Sequence, residues 1–158
     1  EITFEIPKTW TWCRFNNSCT SIRRNQVKES EIIKNGICPV VTQSANYIEG
    51  FSNNIEKIIK INKPVVLFGD HTKIVKYIDF NFIAGGDGVK ILEPSFLNPR
   101  YFYFVILSYS VKIKNRGYSR HFQFLKETFI PIPPTEEQKR ISAFLDLTFK
   151  QLDSLIQH

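Results

Sequence analysis

Six consecutive residues, Arg116-Gly-Tyr-Ser-Arg-His121, carry two guanidinium groups, a phenol, a hydroxyl and an imidazole. Arginine grips guanine or phosphate through two parallel N–H donors, and serine and tyrosine hydroxyls bond to phosphate oxygens. Two further segments add the same kind of chemistry. Thr42-Gln-Ser-Ala-Asn46 supplies Gln43, Ser44 and Asn46, and glutamine and asparagine are the side chains that best read adenine. Gly69-Asp-His-Thr-Lys73 supplies His71, Thr72 and Lys73. Each segment alone is equally an ordinary polar loop. Together, on a basic chain, they read as a surface for DNA, with Gln43, Ser44, Asn46, His71, Thr72, Lys73, Arg116, Tyr118, Arg120 and His121 near the duplex and no catalytic group among them.

Charge supports that reading. The net charge is +6 over 158 residues, and it is unevenly placed. No acidic residue lies between Pro94 and Glu127, whereas Arg100, Lys112, Lys114, Arg116, Arg120 and Lys126 do. A block of one sign attracts polyanions. A merely solvated basic face has the same composition, but the interleaved Tyr and His favour nucleic acid.

Catalytic constellations are missing from the chain. Asn98-Pro99-Arg100 lacks the second proline and the aromatic residue of an adenine methyltransferase motif, and no GxxxxGK[ST] loop exists for a motor ATPase. Asp70, Asp87 and Lys90 can be assembled into a metal-dependent nuclease set, yet their spacing is not acid-x-Lys and a turn accounts for Asp87. Cys13, Cys19 and Cys38 form no CxxC pair, and His71, His121 and His158 are scattered. No metal and no cofactor are expected, and the three thiols read as reduced and cytoplasmic. No apolar run approaches the ~20 residues of a membrane span. The absence of Met suggests an excised or processed piece of a longer protein.

The elements that must position these loops are mostly strands. Hydrophobic content of 42% with 14 Phe and 6 Tyr suits a sheet-rich domain with a real core. Ile2–Pro7 alternates like an edge strand, and the alternation continues through Trp10, Trp12 and Phe15, the Trp pair anchoring it in the core. Residues 16–26 read as a polar loop, and 29–34 as one helical turn or a strand. Ile37–Gln43 reads as a buried strand breaking into the Ser44-Ala-Asn46 loop, and 53–62 as a short amphipathic turn. Pro64–Phe68 and Lys73–Phe82 read as a hairpin. Gly85-Gly-Asp-Gly88 is a turn that needs positive φ. Tyr101–Tyr109 is a buried helix or strand, the helix preferred, and Lys126–Ile132 a last strand stopped by prolines.

A helix ends the chain. Pro133-Pro134 precede Thr135 as N-cap, Gln138 completes a capping box, and Glu136 and Glu137 suit the positive end of the helix dipole. Ile141, Leu145, Thr148, Leu152 and Leu155 then follow a heptad spacing of +4, +3, +4, +3. Such a seam faces another helix in this chain, another domain or another subunit; packing on its own sheet is the plainer alternative. Because little else reads as helical, the partner is expected elsewhere.

The strings VVLFGDHTKIVKYIDFNFIAGGDGVKIL, RGYSRHFQFLKE and IPIPPTEEQKRI, with the opening FEIPKTWTWCRF, resemble a target recognition domain of the specificity subunit of type I restriction-modification enzymes. The resemblance spans nearly the whole chain and is most specific at FGDHT, GGDGVK and PIPPTEEQKRI. It implies an α+β fold with a twisted, mostly antiparallel sheet and a C-terminal coiled-coil-type helix, residues 1–132 being the recognition domain and 133–158 the start of a spacer helix. It implies a cytoplasmic, non-catalytic reader of one half of a bipartite double-stranded DNA target. The implied partners are methyltransferase (modification) and restriction subunits, plus a second recognition domain joined through the helix. A half-subunit that pairs with a second copy of itself is the alternative, and a fused or standalone nuclease or methyltransferase system, or a pure protein-interaction module, are the rivals.

Overall fold

The computed structural model describes residues 4–23, 25–114 and 120–156. In chain order they form β1 (Thr11–Arg14), α1 (Phe15–Ser18), β2 (Cys19–Ile22), β3 (Cys38–Val41), β4 (Gly50–Ser52), β5 (Val65–Gly69), β6 (Val75–Ile78), β7 (Ile83–Ala84), β8 (Val89–Pro94), α2 (Pro99–Lys112), α3 (Phe122–Lys126), β9 (Phe129–Ile132) and α4 (Thr135–Ile156). The sheet is divided into three: β2-β8-β5-β6, β4-β3-β7 and the pair β1-β9. Among the described strands, every pairing is antiparallel except β3 with β7.

β5 explains the layering. All five of its residues are buried, so both faces are covered. Side chains alternate across a strand, and they sort accordingly. Val66 and Phe68 pack with Phe102, Val105 and Ile106 of α2, together with Leu125 and Ile130. Val65 and Leu67 pack on the other side with Val41, Ile59, Phe82 and Ala84. The four-stranded sheet is therefore held between α2 and the three-stranded sheet.

The aromatic run resolves as a helix because of its start. The Asn98 side chain accepts from the backbone N–H of Arg100 and Tyr101, each at 3.0 Å, with Pro99 in the first turn. This satisfies two orphan donors and presets the backbone. Phe102 and Ile106, one turn apart, are then fully buried.

Several sequence expectations need correction. Residues 4–7 form no strand, and the first ladder is β1 against β9. Neither tryptophan is in the core, because β1 flanks the molecule: Trp10 Nε1 donates to Glu137 at 3.0 Å, and Trp12 meets the edge of Phe4. The polar stretch after Phe15 contains α1 and β2, since pairing with β8 outweighs the composition of Cys-Thr-Ser-Ile. The last strand begins only at Phe129, because Phe122–Lys126 turns as α3. By contrast, the turns expected within 29–34 and 53–62 are present, as single 3₁₀ turns at residues 29–31 and 55–57.

α4 departs from expectation in two ways. Buried Gln138 does not reach back to cap the helix; its Oε1 accepts from Asn98 N at 2.8 Å and its Nε2 donates to Pro133 O at 2.9 Å. The helix as far as Phe149 also finds its partner within the chain. Arg100 Nε donates to Asp146 at 2.8 Å, its guanidinium stacks on Tyr77 and Tyr103, and Phe149 lies parallel to Phe104 at 5.8 Å. Along the expected seam, Ile141 packs on the core and Leu145 and Thr148 are half-buried. Leu152 and Leu155 are exposed, as is Phe144 beside them.

Candidate nucleic-acid interface

Strand directions bring the polar loops to one end of the molecule. β3 and β7 run parallel, so Thr42 and Gly85 leave them side by side. Gly69 pairs with Val89, which sets the end of β5 against the turn that opens β8. The C-terminus of α2 closes the same corner, where Lys73 Nζ donates to Ile113 O at 3.1 Å.

Each loop is held by bonds to its neighbours. Lys76 on β6 is 4% exposed, and its ammonium donates to Thr42 O at 2.7 Å and to Asn46 O. Burial pushes its pKa down, while the charge of Glu49 acts to restore it. Glu49 in turn accepts from the Ser44 and Thr42 hydroxyls and the Asn46 amide. The Ser44 bond first, with Thr42, Asn46 and the Lys76 charge, holds the Glu49 carboxyl below the usual range against the opposing effect of burial. A carbonyl cradle around the lysine and a hydroxyl cradle around the glutamate together fix residues 42–49.

The β5 loop is anchored by Asp70, which is 4% exposed. Its N–H donates to Gly88 O, its carbonyl accepts from His121 N, and its carboxylate accepts from Phe122 N, each at 2.8 Å. Lys90 Nζ lies 3.7 Å from the same carboxylate. Asp70 thus ties the turn into α3, rather than lying open beside Asp87 as a nuclease would place it. Gly86 and Gly88 have φ of +73° and +77°, as the turn chemistry requires.

The ten expected DNA-side residues are divided by this arrangement. Asn46, Thr72 and Arg120 are exposed; Gln43, Ser44, His71 and Lys73 are half-buried. His121 is fully buried, with ring Nδ1 2.9 Å from Asp70 O, so it braces the loop and presents no surface. Lys73 braces the end of α2 from a left-handed backbone, φ +61°. Arg116 and Tyr118 lie outside the described residues. Of the acid-free basic block, Arg100 is withdrawn to Asp146, and Lys114 and Arg120 are exposed at this end. Sequence reasoning missed Lys76 and Glu49; the alternation of β6 marked Lys76 as sharing a face with Ile74 and Ile78.

Comparison with known proteins adds a family and a fold. The family model described as "Type I restriction modification DNA specificity domain" matches residues 7–157. No curated protein sequence gives a significant match. The HsdS subunit from Thermoanaerobacter tengcongensis superposes with a TM-score of 0.71 at 20% identity, over 98% of this chain and 41% of that one. A chain solved for complex assembly and conformational transition of the type I R-M system gives 0.71 at 21% identity, over 96% and 41%. The S subunit of a type I restriction-modification system from M. genitalium gives 0.71 at 16%, over 98% and 43%. The chain thus spans about two fifths of the length of these structures.

Proposed function

Because the chain belongs to the type I restriction modification DNA specificity domain family, we propose that it reads one half of a bipartite DNA target without catalysing a reaction itself. The observation that carries this reading is the convergence of the 42–46, 69–73 and 85–88 segments on one end of the fold, with Lys114 and Arg120 exposed there. Rigid polar loops beside exposed cations are what base readout and phosphate grip require. All ten residues named above lie near the duplex in this proposal, the exposed ones as contacts and the buried ones as supports.

Residues 1–132 are the reader and 133–158 belong to a spacer helix. The spacer assignment rests on the exposed apolar side chains of α4, among them Leu155 at 73% and Phe144 at 67% exposure. Their partner is a helix of a second recognition domain or of a second copy. The assembled subunit directs modification and restriction subunits in the cytoplasm.

Salt-sensitive binding to duplex DNA tests the first step, since phosphate contacts make affinity fall steeply with salt. Grafting residues 1–132 into an intact specificity subunit, then sequencing the methylated sites, tests the second. Arg120→Ala is expected to weaken binding by about 1–3 kcal/mol and relax one base position if Arg120 reads guanine, or to weaken all sequences alike if it grips phosphate. Normal affinity and selectivity in that variant would remove Arg120 from the interface.

A further inference from the structure

By residue type, Gln43 is suited to read adenine, as is Asn46 of the same loop, yet both ends of the Gln43 amide are already engaged. Nε2 donates to Asp87 O at 2.6 Å, and Oε1 accepts from His71 N at 3.1 Å. Its backbone carbonyl accepts from the Thr72 hydroxyl at 2.8 Å. Bidentate recognition of adenine needs the donor and the acceptor of the amide together. Here they face two backbone groups of opposite kind, and an inverted amide would set donor against donor and carbonyl against carbonyl.

The surroundings make room for this placement. A Cβ on Gly88 would lie 2.6 Å from His71 Cδ2 and 2.7 Å from Gln43 Nε2. A Cβ on Gly69 would overlap Thr72 Oγ1 and lie 2.8 Å from Gln43 Cβ. One glycine at the end of β5 and one in the turn before β8 therefore leave space for one glutamine that follows β3. That glutamine follows β3 of the three-stranded sheet, whereas its partners flank β5 and β8 of the four-stranded sheet.

We infer that Gln43 is a positioning residue for sequence recognition: it locks the loops of the two sheets into one register and reads no base itself. The inference rests on the DNA-reading proposal above. Removing the lock lets His71, Thr72 and Asp87 shift against Ser44 and Asn46. Base discrimination is then lost at several positions at once, while the phosphate-driven part of binding remains.

The test is selection by the chain itself from a library of duplexes with randomised positions, beside amide hydrogen exchange. In Gln43→Met, exchange at His71 N is expected to rise at least about tenfold, since that N–H loses its acceptor. Preference is expected to flatten at two or more base positions, with less than about threefold loss of affinity for random duplex. Gly88→Ala keeps the glutamine but closes its space and is expected to flatten the same positions. Thr72→Val removes the hydroxyl that donates to Gln43 O and accepts from Ile74 N, at an exposed site, and answers the question should the other two fail to fold. Loss confined to a single A·T position in Gln43→Met, or a shift toward cytosine in Gln43→Glu, makes Gln43 a direct reader and overturns the inference. So does unchanged selectivity in all three variants. An unmodified chain that selects nothing from the library overturns the DNA-reading proposal, and this inference with it.

Discussion

The two ends of this molecule treat their side chains in opposite ways. At the loop end, polar groups that sequence alone would leave facing solvent are bonded to one another: Gln43 to Asp87 and His71, Lys76 to Thr42 and Asn46, Glu49 to Ser44. Along the far half of α4, apolar groups that would ordinarily be covered stand open, including Leu152, Leu155 and Ile156. Satisfied polar groups on a rigid scaffold hold a fixed pattern of donors and acceptors, which is what selectivity needs. An open apolar stripe of this kind marks a surface for association. The middle of α4 joins the two regimes, with Arg100 clamped to Asp146 and stacked on Tyr77 at the sheet edge.

Substitution of one large apolar residue in each region separates them most sharply. Phe68 is fully buried between β5 and α2. Phe68→Ala is expected to lower unfolding stability by about 3–5 kcal/mol, measured by chemical denaturation. Leu155→Ser on the open stripe is expected to change it by less than about 0.5 kcal/mol. The same Leu155 variant should weaken helix-mediated association, read as a mass shift across concentration or with the partner subunit. If Leu155→Ser destabilises the isolated chain as strongly as a core change, the stripe is not a free surface and the contrast fails.

The joint between the regions carries a smaller effect. Arg100 and Asp146 are both partly exposed, so solvent screening limits their ion pair to at most about 1 kcal/mol. The ring contacts at 4.7 and 4.8 Å add about 0.5–1 kcal/mol more. Arg100→Met should therefore lower stability by about 1–2 kcal/mol and raise hydrogen exchange selectively in α4. Exchange that rises equally in β5 and β8 would show Arg100 supporting the whole core rather than the joint.

These differences also explain which parts were legible in the sequence. β5 was legible because an unbroken Val-Val-Leu-Phe run ended by Gly-Asp admits few other structures, and the Gly85–Gly88 turn because its backbone demands glycine. α4 was legible from Pro-Pro-Thr-Glu-Glu and its heptad spacing. β2 was not, since Cys-Thr-Ser-Ile becomes a strand only by pairing with a distant β8. The polar loops were legible as loops, but the division of labour among their side chains was not. An imidazole such as His121, an amide such as Gln43 and a guanidinium such as Arg100 have the same chemistry whether they face DNA or a neighbouring backbone. Only the fold decides, through the carbonyls of Asp70 and Asp87 and the carboxylate of Asp146.

The smallest expected effect is a response to acid at the loop end that the apolar stripe lacks. Glu49 has a depressed pKa, caused first by the Ser44 hydroxyl. A carboxylate depressed in the folded state contributes stability that is present above its unfolded pKa and lost as pH falls through the folded value. Residues 42–49 should thus stay ordered from neutral pH down through the ordinary carboxylate range, and loosen only under more acid conditions. The shift on Lys76 has the opposite setting: burial lowers an ammonium pKa from the alkaline side. A pH titration of the Ser44 amide signal should show one acid step, and Glu49→Gln should abolish it, because a neutral amide still accepts the hydroxyl bonds but no longer titrates. Signals from Leu152 and Leu155 should pass the same range unchanged, since association of an apolar face does not depend on a proton. A Ser44 step that survives in Glu49→Gln would mean that another group orders this loop, and that its rigidity does not come from the cradle around Glu49.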